Sequence, residues 1–215
     1  MSSASIDDVS GVLQRMNSVM TTQYLFLKDK QTAAITECQK RNDVLALPFL
    51  TAENACVVII NGLTSIIQEQ KTRFGDKAIV IDDEIIKYLE DLPNPNSKNQ
   101  QTALIVQRLT DGDAGINYII SHPEPIVHPE VKKILMKKNI ANRITHLVVD
   151  EAHCILSWGN SDFRPAYQKL GLLRAVMKDS NILALTATAN GMSQKNICSS
   201  LRIKEPVIIV ESPDR

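Results

Sequence analysis

Asp150-Glu151-Ala152-His153 sets two carboxylates and an imidazole within four residues, directly after the apolar run Leu147-Val148-Val149. Such a run reads as a buried strand, so the acids fall at its carboxyl end, the edge where open α/β sheets hold ligands. Acids so placed suit a metal-bound polyphosphate. Asp150 can hold the water shell of a magnesium ion, Glu151 can orient or deprotonate an attacking water, and His153 stands beside them. Further along, Thr186-Ala187-Thr188 offers two hydroxyls near another strand end, within reach of Asp150 or His153. Simple β-propensity at a sheet edge would also account for these threonines.

A second set of side chains suits nucleic acid. Trp158-Gly159 and Phe163-Arg164-Pro165 frame a polar, glycine-containing loop with two aromatics and an arginine. Aromatic faces stack unpaired bases and a guanidinium binds phosphate. Trp158 is the only tryptophan in the chain, and a lone tryptophan is also a common core residue. In Asn61-Gly62-Leu63-Thr64-Ser65-Ile66-Ile67, Thr64, Ser65 and free backbone N–H groups can bind phosphates without net positive charge.

These side chains need a scaffold, and the apolar pattern supplies one. Short β-rich runs at residues 44–47, 55–60, 78–81, 118–121, 146–149, 182–187 and 207–210 alternate with helical patterns. The helical stretches are 31–41, 83–92, 101–109, 129–138, 165–177 and 193–201. Several strands are apolar on both faces, as in a parallel sheet covered on each side. The alternation predicts a doubly wound, mostly parallel α/β sheet. Residues 1–22 read as a polar N-terminal tail and 23–215 as the domain, with a turn-rich loop at 93–99. Lys132, Lys133 and Lys137 fall opposite Val131, Ile134 and Leu135, which reads as a solvated helix face rather than a DNA patch.

Composition removes other classes. The chain is 44% hydrophobic and 22% charged, with 24 basic against 24 acidic residues, so bulk charge does not draw it to nucleic acid. MSSASIDDVSG has no basic start or apolar core, and runs such as 55–60 are too short to cross a bilayer, so no membrane is expected. Cys38, Cys56, Cys154 and Cys198 are scattered without a Cys-x-x-Cys pair, the pattern of reduced thiols in an intracellular protein. His122, His128 and His146 lack metal-ligand spacing and read as surface or core histidines.

In order and spacing, the segment from Leu147 to Ala189 closely resembles the first RecA-like lobe of RecQ-type DNA helicases, within the superfamily 2 DEAD/DEAH-like enzymes. The likeness runs from Tyr24 to Arg215. It implies a P-loop NTPase type of fold, ATP and Mg²⁺ as cofactors, and DNA, single-stranded or at a junction, as partner. It also implies 3′–5′ unwinding in recombination and repair, a second helicase lobe, and a nuclear location in a eukaryote. Within the resemblance, Lys28 and Gln31 of Leu27-Lys28-Asp29-Lys30-Gln31 match the adenine-reading motif. Segment 61–67 matches a DNA-backbone motif, with Asn61-Gly62 where the family has Ser-Pro. Ser121-His122-Pro123-Glu124 matches the next backbone-contact motif, Ser-Pro-Glu, with one histidine inserted. Trp158, Phe163 and Arg164 match the aromatic-rich loop that senses single-stranded DNA, with two residues between Gly159 and Asp162 where one is usual. Thr186 and Thr188 match the Thr-Ala-Thr motif linking the nucleotide site to the DNA track.

One expected part is missing from the sequence. A motor of this kind needs a Gly-rich loop ending in Gly-Lys-Ser/Thr after its first strand, where N–H groups, lysine and hydroxyl hold phosphates and Mg²⁺. Here the chain passes from Asp43-Val44-Leu45-Ala46 straight to Leu47-Pro48-Phe49-Leu50. Splicing, a gene-model error or a degenerate paralogue would each leave such a clean excision. Losing several charge-assisted hydrogen bonds of roughly 1.5–3 kcal/mol each weakens triphosphate binding by orders of magnitude. The expectation is a helicase lobe inactive alone, with a non-catalytic DNA- or partner-binding remnant as the alternative. A second lobe, source of an arginine finger, would begin where 207–215 reads as a connector.

Overall fold

The structure, a computed structural model, describes residues 55–91, 100–159 and 163–209. Within them, five short apolar runs form strands: β1 (Cys56–Ile60), β2 (Ala78–Ile81), β3 (Tyr118–Ser121), β4 (Ile144–Val149) and β5 (Asn181–Ala184). They pair in the order β2-β3-β1-β4-β5, all parallel. The registers align the carboxyl ends, with Ile60 opposite both Ser121 and Val149, and Val149 opposite Ala184. From central β1 the chain winds out to β2 and back to β3, then crosses to β4 and β5. The winding direction therefore changes beside β1, which makes its carboxyl end the switch-point crevice of an open α/β sheet.

Alternation along the strands explains the two covered faces. Cys56, Val58, Ile60, Ile119, Leu147, Val149, Ile182 and Ala184 belong to one core cluster, and Val57, Ile59, Ile120, Val148 and Leu183 to another. Ile67 of α1 (Thr64–Phe74) covers the second face, with Val207 and Ile209 packed against it. The first face takes α2 (Asp83–Glu90), α3 (Gln100–Asp111), and the short helices α4 (Pro123–Ile126), α5 (Pro129–Leu135) and α6 (Lys138–Ala141). α7 (Cys154–Ser157) follows the acid motif and packs on α9 (Gly191–Ser200), while α8 (Leu173–Val176) packs on α5. Caps fix several starts: Asp82 accepts from the Ile85 N–H at 3.1 Å, and Asn190 from the Ser193 N–H at 2.9 Å. No helix among the described residues is long and apolar enough to cross a membrane.

The doubly wound parallel sheet agrees with the sequence reading, and its departures have physical causes. The expected helix at 165–177 is a 3₁₀ segment, Pro165–Leu172, followed by α8. Its buried Tyr167 and Leu170, with Leu173 at the start of α8, recur every third position, which suits three residues per turn. The helix expected at 129–138 breaks after Leu135, because a continuous α-helix would carry Ile140 off the face shared by Val131 and Leu135; α6 restores it to the core. The strand expected at 182–187 stops at Ala184, where the chain turns to serve the acid motif. At 207–209 only an isolated bridge at Val207 replaces the expected strand. α1 was not foreseen, since it buries Ile67 alone. The elements expected at 31–41 and 44–47, the tail and the 93–99 loop lie outside the described residues.

Candidate functional site: the carboxyl edge of the sheet

The turn after β4 is held from both sides. The Asp150 N–H donates to the Ile60 carbonyl at 2.9 Å, and the Ala152 N–H to the Leu185 carbonyl at 2.7 Å. Between them Glu151 has φ 47°, a left-handed conformation that costs a non-glycine residue on the order of 1 kcal/mol. The Glu151 N–H donates to Asp150 Oδ1 at 2.9 Å, which fixes that carboxylate within the turn. His153 then presents Nδ1 to two oxygens, Glu151 Oε2 at 3.1 Å and Thr186 Oγ1 at 3.2 Å. The Glu151 contact has an ion-pair distance but no hydrogen-bond alignment. Thr188 takes no part in that contact; its N–H donates to Thr186 Oγ1 at 3.3 Å. Glu151, His153 and Thr186 thus meet in the turn that carries Asp150.

Asn61, one residue beyond β1, is fully buried and reaches across to this motif. Its Nδ2 donates to Asp150 Oδ2 at 2.8 Å, while its Oδ1 accepts the Leu63 N–H at 3.0 Å. One amide therefore joins the Asp150 carboxylate to the start of α1, where Thr64 and Ser65 are both exposed. His122, one residue beyond β3, closes the other side: its Nδ1 lies 3.0 Å from the Asn61 carbonyl oxygen and its Nε2 3.2 Å from Thr64 Oγ1. Sequence reasoning missed Asn61 and His122 as members of the site. The signal was their departure from the resembled motifs.

The aromatic residues pack against the same edge. Trp158 is half-buried, with edge contacts to Phe163 and Tyr167, each at 5.8 Å between centroids. Phe163 is 71% exposed. Arg164 is not turned to solvent: Nε and Nη2 donate to the two oxygens of Glu124, at 2.8 and 2.5 Å, and Nη1 donates to the Gly62 carbonyl at 2.7 Å. Those bonds raise the Arg164 pKa in spite of burial. For Glu124, burial pushes the carboxyl up, but the Arg164 hydrogen bonds, a backbone hydrogen bond and the nearby positive charge together hold it below the usual range. A Cβ at Gly62 would collide with the Tyr167 hydroxyl and lie 2.9 Å from the Trp158 ring. Lys28, Gln31 and residues 160–162 of the aromatic loop lie outside the described residues.

A single carboxylate whose oxygens keep lone pairs beyond two neutral donors suits a hydrated cation rather than direct multidentate ligation. No group of three or more His, Cys, Asp or Glu among the described residues converges on a metal position. The acid side of the site thus fits a magnesium ion held through water. The triphosphate side does not fit, because the sequence contains no Gly-Lys-Ser/Thr loop to cradle it.

A five-stranded parallel sheet with its acids at the switch point is the arrangement of a RecA-like helicase lobe. The solved structure of DUF1998 helicase MrfA bound to DNA superposes with a TM-score of 0.60 at 14% identity, over 97% of this chain and 30% of that one. Residues 43–197 match the DEAD/DEAH box helicase family, and the chain belongs to it. Its relatives include ATP-dependent DNA helicase Q5 of Rattus norvegicus, 44% identical over 72 residues, which are 34% of this chain and 7% of that protein. RecQ-like DNA helicase BLM of Xenopus laevis is 34% identical over 117 residues, 54% of this chain and 8% of that protein. The chain therefore spans less than a tenth of the length of either relative.

Proposed function

We propose that this chain is a RecQ-like first helicase lobe that holds DNA, single-stranded or at a junction, along the carboxyl edge of its sheet, with little grip on nucleotide. The observation that carries the reading is the Asn61 amide, which ties Asp150 to the exposed start of α1. Thr64 and Ser65 bind phosphates there, and Phe163 and Trp158 stack an unpaired base. Asp150 holds Mg²⁺ through water, Glu151 orients water, and His153 with Thr186 and Thr188 links that position to β5. Lys28 and Gln31 read adenine. When bound, Mg·ATP supplies the phosphoryl-transfer energy of a motor. Without a phosphate loop this chain turns it over poorly, and 3′–5′ unwinding in recombination and repair requires a second lobe.

The second reading is a non-catalytic DNA- or partner-binding remnant, favoured by the missing loop. Both readings use the same edge. The test is fluorescence anisotropy with labelled single-stranded and duplex oligonucleotides. Single strands should bind more tightly, and Phe163→Ala should cost about 1–3 kcal/mol of that binding without lowering the melting temperature. Equal affinity for duplex and single strand, or no loss with Phe163→Ala, would remove the aromatic loop from the interface.

A further inference from the structure

His122 is the residue that this chain adds to the Ser-Pro-Glu pattern, and its ring spans two parts of the proposed phosphate edge. It stands between β3 and Pro123 with extended backbone, φ −72° and ψ 162°. Nδ1 faces the Asn61 carbonyl oxygen at 3.0 Å, and a carbonyl only accepts, so Nδ1 carries a hydrogen. In the neutral ring Nε2 is then a bare acceptor. The one hydrogen able to fill its 3.2 Å contact is that of the Thr64 hydroxyl. Thr64 therefore has its single donor turned inward and shows only lone pairs to an approaching phosphate oxygen.

Adding a proton at Nε2 reverses that bond. The ring becomes the donor, Thr64 Oγ1 accepts, and the hydroxyl hydrogen is released to donate outward. A positive charge arrives at the edge in the same step. The charged groups facing the ring favour it. Glu124 is two residues along and close enough for the imidazolium to help hold its carboxyl low. Arg164 opposes the charge, but its guanidinium is already paired with Glu124. The first turn of α1 has no acidic residue to compete for the Thr64 hydroxyl.

We infer that His122 is a phosphate-binding residue for a nucleic-acid backbone, taking one proton from solvent as the phosphodiester binds and thereby converting Thr64 into a donor. The inference rests on the proposed phosphate role of Thr64. Nothing in the relatives' names assigns such a role to this position, and the resembled Ser-Pro-Glu motif has no histidine there.

The experiment is anisotropy with a labelled single-stranded oligonucleotide at constant ionic strength, from pH 8 to pH 5.5, on the whole chain. One linked proton tightens binding by at most about tenfold per pH unit, and a gain of about fivefold from pH 8 to pH 5.5 is expected. His122→Asn keeps a donor for the Asn61 carbonyl and should bind with a flat pH profile. Thr64→Val, at an exposed position, should lose the gain in affinity between pH 8 and pH 6. In the wild type, the ring ¹⁵N signals of His122 should show a raised protonation midpoint when oligonucleotide is added, a readout independent of any variant's folding. A wild-type slope retained in His122→Asn, or an unmoved midpoint in a chain that binds, would overturn the inference and leave the edge reading standing. No binding at any pH would overturn both.

Discussion

Gly62 decides how two motifs meet. With no side chain there, the Tyr167 hydroxyl and the Trp158 ring lie directly over the backbone, and Arg164 reaches the Gly62 carbonyl. Gly62→Ala must push the aromatics outward, and overpacking of this kind costs about 1–3 kcal/mol. Urea unfolding should show that loss. It should be accompanied by altered Trp158 fluorescence, because the indole is the neighbour displaced; an unchanged midpoint would mean that the aromatics are not seated on Gly62. At this scale the sequence disclosed the chemical type of each group but not its partner. Asp150-Glu151-Ala152-His153 was legible because neighbours in sequence stay neighbours in space. The Asn61–Asp150 bond joins residues 89 positions apart, so it follows only from β1 and β4 lying side by side. Arg164, expected at DNA, is spent on Glu124 and Gly62, because a carboxylate from α4 happens to match its fork.

Glu124 and Arg164 link two elements, α4 and the segment opening the 3₁₀ turns, and the link depends on pH. The folded Glu124 carboxyl sits below its ordinary value, so its stabilising contribution is present above the unfolded pKa of about 4.3 and is lost as pH falls through the lower folded value. The carboxylate side chain is 43% exposed, which screens the pair to on the order of 1 kcal/mol. Glu124→Gln should therefore lower the melting temperature at pH 7, and the difference from wild type should close as pH drops below about 4. A difference that stays constant down to pH 3 would contradict this account of the pair. The legible elements were β1 to β4, whose apolar runs end at polar or turn residues, with α3 and the capped helices α2 and α9. The 3₁₀ segment was less so, because Tyr167, Leu170 and Leu173 also suit an amphipathic α-helix until their burial is known. α1 escaped notice because a helix that fully buries only Ile67 has little periodicity to read.

Across the whole molecule, 24 basic and 24 acidic residues leave no net field to attract a polyanion. Contact with nucleic acid then rests on a few phosphates and a stacked base. Duplex binding should be weak with a shallow salt slope, near 0.9 in log K per log salt for each phosphate neutralised. A steep slope would mean that a basic surface away from the sheet edge carries the binding. The fold persists without the phosphate loop because the sheet's two faces are closed by side chains from β1 to β5 and their helices. None of that packing calls on a nucleotide. Fold and nucleotide grip are thus separable in this lobe, and isothermal titration calorimetry of the chain with Mg·ATP tests the separation most directly. The account predicts a dissociation constant no tighter than millimolar, about −4 kcal/mol. A micromolar constant, about −8 kcal/mol, would show that another segment cradles the triphosphate and would contradict it.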